Sequence, residues 1–361
     1  MASNSYLQAS RVPQGVNTAL LCYDWPNEPV LKYAFLVQMP KHILITINSN
    51  EMGERVDKIL STKLPEYSRN YFVDLIKNKK ISVNEKTTKP SYVVKVGDSI
   101  SVSLSQKEEP PETKGEKIEL DILFENDDVL VINKKPGIVV HPAAGHADGT
   151  LVNAVINHFP AIKDVVYDKT NPVSLARPGL VHRLDKDTSG VIIIAKNDRS
   201  MRSLSKQIQN RNVKKTYFAI CYGWPKNDSG RLVSYLGRHP KNRKKIANIG
   251  KECGREAISV YSLVKHFDSS FGKFSLIEFD IETGRTHQIR VQASEMGNPV
   301  LGDDFYGNKL SNDLSIRLDI KRQMLHAKKL EISLPGDPKH TTFEAPLPQD
   351  FESVLNKFIH L

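Results

Sequence analysis

At 361 residues, with 39% apolar and 25% charged side chains, the chain has the composition of a soluble globular protein of two or three domains. Its three cysteines, Cys22, Cys221 and Cys253, are scattered and form no CxxC pair, which argues against a disulfide framework and a structural zinc site. A formal charge of +10 favours a polyanionic partner, of which nucleic acid is the commonest, and no apolar run approaches the ~18–20 residues of a membrane span, so a cytoplasmic protein is expected.

Residues 1–50 show little periodicity and read as an N-terminal extension, either a start site placed too far upstream or a small added segment. Residues 51–104 form a compact unit. Val56, Ile59, Leu60 and Leu64 recur at helical spacing, and Ser68 is placed to cap a second helix with Phe72, Leu75 and Ile76 inward. "ISVN" and "VGDSISVSL" read as short strands, the second with Ile100, Val102 and Leu104 alternating. Lysines and arginines, Arg55 and Arg69 among them, decorate the helices. A solvated helix face is the commoner meaning of such a run, but the helix–helix–strand order resembles the S4 RNA-binding domain. "SQKEEPPETKGE", residues 105–116, is charged, proline-containing and free of large apolar groups, and reads as a linker.

Residues 117–361 read as one larger domain. "DDVLVINKKPG" predicts a buried strand ending in a turn, "TLVNAVINHF" a helix, and "VIIIA" a central strand. Met201, Leu204 and Ile208 mark another helix. "KTYFAICYGW", "EAISVYSLV" and "KFSLIEFDI" predict strands, whereas "THQIRVQASEM" and "FESVLNKFI" predict short helices. Strands outnumber helices and do not alternate with them one for one. The expected fold is therefore α+β, a mixed and mainly antiparallel sheet flanked by helices. There is no internal repeat and no GxGxxG or Walker pattern.

Two segments concentrate reactive side chains. In "GLVHRLDKDTSGVIIIAKN" Asp185 precedes a Thr-Ser-Gly turn into a strand apolar enough to be buried on both faces. A carboxylate so placed sits on a loop fixed by a rigid element, where catalytic groups are often found. Taken alone, a turn-forming aspartate is the more economical reading. An aspartate-nucleophile phosphatase would need D-x-D-x-T after an apolar strand, but Thr188 comes one residue early and the strand follows the motif. In "ETGRTHQIRVQ" His287 and Arg290 are three apart and share a helix face, with Arg285 at the preceding turn. Such convergence suits an anion or carboxylate.

"RPGLVHRLDKDTSG", "KKTYFAI" and "ETGRTHQIRVQ" resemble, in this order, three signature segments of the RluA family of pseudouridine synthases. "VVHPAAGHADGTLVNAV", "LGDDFYG", "QMLHAKKLEISLP" and "APLPQD" are similar to its RluD branch, which carries an S4 domain and modifies large-subunit ribosomal RNA. The resemblance covers about residues 54–361. Gln292 stands where the family usually has histidine or a similar residue.

The resemblance implies an isomerase that breaks the C1′–N1 bond of uridine, turns the uracil and rejoins C1′ to C5, with no metal, redox cofactor or ATP. It puts the catalytic aspartate at Asp185, its ion-pair partner at Arg290 and the active-site tyrosine at Tyr217. It puts the arginine that replaces the extruded base at Arg183. Uridine C1′ is inaccessible in stacked RNA, so flipping is required, and a guanidinium plane can stack in the vacated place. Either nucleophilic attack at C1′ or removal of the 2′ proton needs Asp185 ionised, which a nearby cation favours. The loop "GRHPKNRKK", with Arg238, Arg243 and Lys244, resembles an RNA-gripping loop of the family. A monomer acting on 23S ribosomal RNA or a pre-50S particle is expected, at a stem-loop with several sites. The other class consistent with the sequence is a non-catalytic S4-type RNA-binding or ribosome-assembly protein.

Overall fold

The structure, a computed structural model, describes residues 41–361 except 66, 68, 105–112, 143–145, 170, 171, 243, 360 and 361, together with two strands before residue 41. Ser68, Arg243 and most of the expected linker therefore lie outside the described residues. The chain divides into two compact units, Met1–Pro110 and Pro111–Leu361.

In the first unit β1 (Thr18–Leu21) pairs antiparallel with β2 (Phe35–Gln38). Strand β3 (Lys41–Thr46) is followed by helices α1 (Val56–Lys63) and α2 (Arg69–Lys77), then by β4 (Ile81–Val83), β5 (Lys86–Thr87) and β6 (Ser99–Leu104). The four later strands form an antiparallel sheet in the order β3–β6–β4–β5. Val56, Ile59 and Leu60 of α1 and Phe72, Leu75 and Ile76 of α2 are buried with Ile100, Val102 and Leu104 of β6. The compact unit begins earlier than the residue 51 expected from periodicity, because β3 pairs along its whole length with β6. Its apolar alternation spans only six residues, and its partner lies far along the chain.

The second unit contains β7 (Ile122–Glu125), β8 (Val129–Lys134), α3 (Leu151–His158), α4 (Pro172–Leu175), β9 (Ser189–Ala195), α5 (Asp198–Gln209) and β10 (Lys214–Tyr222). There follow β11 (Ser229–Arg238), β12 (Ile246–Asn248), β13 (Arg255–Ser269), β14 (Gly272–Ile281), α6 (Gln288–Glu295), α7 (Lys309–Arg317), β15 (Leu325–Ser333), β16 (His340–Glu344) and α8 (Gln349–Ile359). One sheet runs β12–β11–β13–β14–β10–β15–β9–β8–β7, with β16 paired to β15. Only the β9–β15 pairing is parallel among the described strands. The fold is thus α+β with a mixed, mainly antiparallel sheet.

Every residue of β9 is buried, as expected for a strand with neighbours on both edges and layers on both faces. Thr150 caps α3 and Asn197 caps α5, each accepting from a backbone N–H three residues on. Helix α8 closes one face, with the Phe358 ring stacked on Phe274 at a centroid distance of 4.1 Å. Helix α6 begins at Gln288, one residue later than a shared His287–Arg290 helix face requires. His287 is its N-cap, held at a left-handed φ of 54°.

Candidate active site

Asp185 ends a short segment that leads into the turn before β9, and its carbonyl accepts from the Thr188 N–H at 3.1 Å. The turn is pinned from several sides. Lys134, at the end of β8 and almost wholly buried, donates its ammonium to the carbonyls of Lys135, Ile138 and Lys186 at 2.9, 3.0 and 2.8 Å. The Gly137 N–H reaches the same Lys186 carbonyl. Arg322 donates to the Asp187 carbonyl at 3.1 Å while its Nε and Nη2 grip Asp350 of α8 at 2.6 and 2.8 Å. Ser189 Oγ and His326 Nδ1 lie 2.9 Å apart. Gly190 lets β9 meet β15: a Cβ there would sit 2.1 Å from the Ala327 carbonyl oxygen, and its φ is 113°. His182 Nε2 accepts from the Ile193 N–H at 3.1 Å, tying the segment before Asp185 to the same strand.

Against this turn stands α6. Arg290, on α6, donates from Nη1 to Asp185 Oδ2 at 3.1 Å. The ion pair between residues 105 apart is thus present in the fold. Its orientation is set by Asp303, which accepts from Arg290 Nε and Nη2 at 2.7 and 2.9 Å in a bidentate grip. Burial works against the Arg290 charge, but the Asp303 bonds and the Asp185 carboxylate outweigh it, and its pKa is raised further. The guanidinium also lies over the Tyr306 ring, 5.2 Å from its centroid.

His287 Nε2 lies 3.8 Å from Asp185 Oδ2, and its Nδ1 is 2.7 Å from the Tyr306 hydroxyl. That hydroxyl accepts from the Ile246 N–H at 2.9 Å, so its own proton is free to point at Nδ1. Burial pushes the His287 imidazole below its ordinary pKa, more than Asp185 draws it up. A neutral His287 accepting at Nδ1 carries its proton on Nε2, facing Asp185.

Tyr217 enters from β10, beside a bulge at Thr216 and Tyr217 where pairing with β15 shifts. Burial, and then the Asp185 charge, raise its pKa, so the phenol stays protonated. Asp185, Tyr217, Arg290, His287 and Arg183 line one cleft of about 420 Å³. Arg183 is exposed at its mouth. Lys215, 8% exposed, lines it too, and burial followed by the Arg285 charge brings its ammonium down to about 8. Arg285 reaches the cleft wall, but its Nε donates to the Glu256 carbonyl at 3.0 Å.

The departure at Gln292 is structural. Its side chain is buried, accepts from Ser259 Oγ at 2.7 Å and donates to the Ala257 carbonyl at 3.0 Å, fastening α6 to β13. Arg238, the last residue of β11, and Lys244, on the loop that leads to β12, are exposed, and the first residue of β12, Ile246, is the one bonded to Tyr306. Arg55 and Arg69 lie in the other unit, and both bind the buried Asp57: Arg55 through Nε and Nη2 at 3.0 Å, Arg69 through Nε at 2.9 Å. Each remains about half exposed. Asp303, Tyr306, Lys134, Lys215 and Arg322 escaped sequence reasoning. "LGDDFYG" and "KKTYFAI" held three of them, but nothing local tells a supporting residue from a surface one.

Residues 128–295 match the family model for RNA pseudouridylate synthase, and residues 54–100 the S4 domain model. An uncharacterized RNA pseudouridine synthase of Chlorobaculum parvum is 41% identical over 315 residues, covering 84% of this chain and 93% of that protein. Ribosomal large subunit pseudouridine synthase D of Pseudomonas aeruginosa is 37% identical over 311 residues, covering 84% and 92%. The same enzyme of Nitrosomonas europaea is 36% identical, covering 88% of each chain. The structure of human RNA pseudouridylate synthase domain containing 1 shares the fold, with a TM-score of 0.51 at 23% identity over 68% of this chain and 97% of that one.

Proposed function

We propose that this chain, which belongs to the RNA pseudouridine synthases and carries an S4 domain, isomerises uridines of 23S ribosomal RNA in a stem-loop with several sites. The observation that carries the chemistry is Asp185 at a cleft of nucleoside size, ion-paired to an arginine that is itself locked by Asp303. The target class comes from the relatives named for the ribosomal large subunit.

In this reading Asp185 reacts at the ribose, either by attack on C1′ or by taking the 2′ proton. Arg290 favours its ionised form beside an RNA rich in negative charge. The Tyr217 ring stacks on the uracil while it turns. Arg183, at the cleft mouth, takes the place of the extruded base. Arg55 and Arg69 on the first unit, and Arg238, Arg243 and Lys244 on the second, hold phosphates and set the salt dependence of binding.

Tritium release tests this directly. Large-subunit RNA labelled at uracil C5 loses tritium when C1′ bonds to C5. The wild type is expected to release it without metal or nucleotide, and Asp185→Asn to release none while still binding RNA. No release by the wild type from naked RNA or from ribosomal subunits would instead favour a binding or assembly protein.

A further inference from the structure

Lys215 is a cation in the cleft to which the fold offers no anion. Its side chain lines the cleft, is 8% exposed, and makes no hydrogen bond or ion pair with any described residue. Glu282, on the cleft wall, is held by Arg231 at 3.4 Å. Glu256, beside Arg285, is held by Arg211 at 3.0 Å. An ammonium withdrawn from water without a partner is costly, so a lysine in this position calls for a physical reason. Burial and then the Arg285 charge bring it down only to about 8, so it keeps its proton at pH 7.

The side chain has a definite place along the cleft. Lys215 and Tyr217, two apart on β10, both face the cleft, while Thr216 between them turns its hydroxyl to Asp280 of β14. The Lys215 ammonium sits by Gly284, 3.7 Å from where a Cβ would stand. Asp185 lies further along the same segment, 3.8 Å from His287 and 3.1 Å from Arg290. A uridine with C1′ at Asp185 and its base on the Tyr217 ring therefore turns the edge opposite the ribose towards Lys215.

That edge has a particular chemistry. In uracil the ring atom across from N1 is C4, and the one across from C5 is C2. Both carry a carbonyl oxygen. When C1′ leaves N1 and bonds C5, N1 gains a proton, C5 loses one, and the ring has made a half-turn about its N3–C6 axis. A donor opposite the ribose thus meets O4 before the turn and O2 after it. An ammonium has donors and no acceptor, so it suits both. Cytosine carries an amino group at C4, which sets donor against donor.

We propose that Lys215 donates a hydrogen bond to the uracil carbonyl opposite the ribose, O4 in uridine and O2 in pseudouridine, and so selects uridine over cytidine. The proposal rests on the reading of the cleft as a pseudouridine synthase site. Enzymes that act on an extruded base read it by such edge contacts, and a donor left unpaired by the wrong base rejects it.

The test measures binding of the full chain carrying Asp185→Asn, which prevents turnover, to a short 23S ribosomal RNA stem-loop from which the wild type releases tritium. With uridine at the target, adding Lys215→Met should raise Kd about tenfold. With pseudouridine there, the loss should be equal. With 4-deoxyuridine, which lacks O4, or with cytidine, Kd should start about tenfold higher, and Lys215→Met should raise it no further. Equal losses on uridine and 4-deoxyuridine would assign Lys215 to the phosphate backbone. A lowered melting temperature with discrimination intact would assign it to the fold. Either result overturns the proposal. Should Lys215→Met not fold, the lysine itself gives the answer. With 4-thiouridine at the target, near-ultraviolet light should crosslink the base to Lys215, read by mass spectrometry, and crosslinks confined to other residues would refute it. Failure of the enzymatic reading is distinct, because it appears as absence of tritium release by the wild type.

Discussion

A carboxylate does no chemistry unless the charge beside it is held in place. Arg290 could reach Asp185 in many rotamers, and the bidentate bonds from Asp303 select the one that places Nη1 at 3.1 Å. Asp303→Asn weakens that grip and frees the guanidinium. Tritium release at saturating RNA should fall about 100-fold, the scale of a misplacement of about 1 Å, with RNA affinity unchanged. A second residue-scale expectation concerns Lys215. Its ammonium is charged at pH 7 and loses its proton as pH rises through about 8, so the cleft becomes one positive charge poorer. RNA affinity should therefore decline between pH 7 and 9. Lys215→Met, neutral throughout, should bind more weakly at pH 7 and lose that decline. A wild-type profile matching the mutant's would refute the assignment.

At the scale of elements, the site depends on how tightly β9 lies against β15. The parallel pairing runs through His326–Ser189 and Ala327–Gly190, directly after the turn that follows Asp185. Gly190→Ala would press a methyl group into the Ala327 carbonyl at a left-handed φ. Strain and overpacking together should cost about 3 kcal/mol. The melting temperature should fall by about 6–12 °C, readable by calorimetry. Lys134, Arg322 and α8 hold the same turn, so the carboxylate's loop is built from residues some fifty positions before it and well over a hundred after it. Periodicity made β8, β9, β10, β13 and β14 legible, because their buried faces are apolar. It did not reveal β15, whose "LHAKKLEIS" carries two lysines and a glutamate and takes its strand character from the neighbours on both edges. The His287 expectation failed for a related reason: the left-handed cap that turns it towards Asp185 leaves no sign in helical spacing.

For the whole molecule, the two compact units have separate apolar cores. A fragment spanning residues 111–361 should fold, keep its melting transition and release tritium at high RNA concentration. Its affinity for 23S ribosomal RNA should be lower and its salt dependence shallower, because the basic face of the S4 unit is gone. Equal affinity with and without residues 1–110 would show that the S4 unit does not contact this RNA. No helix among the described residues is long and apolar enough to cross a membrane.

By itself the sequence determined the α+β class, the S4 unit and the family, and through the family's signature segments it pointed to Asp185, Arg290 and Tyr217. These are legible because apolar periodicity is local and the signature segments are long. Only the tertiary structure decided which side chains support them. Asp303 behind Arg290, Tyr306 behind His287, and Lys134 and Arg322 under the turn act across sheet pairings and long stretches of chain, and a hydrogen bond between distant residues has no period to read.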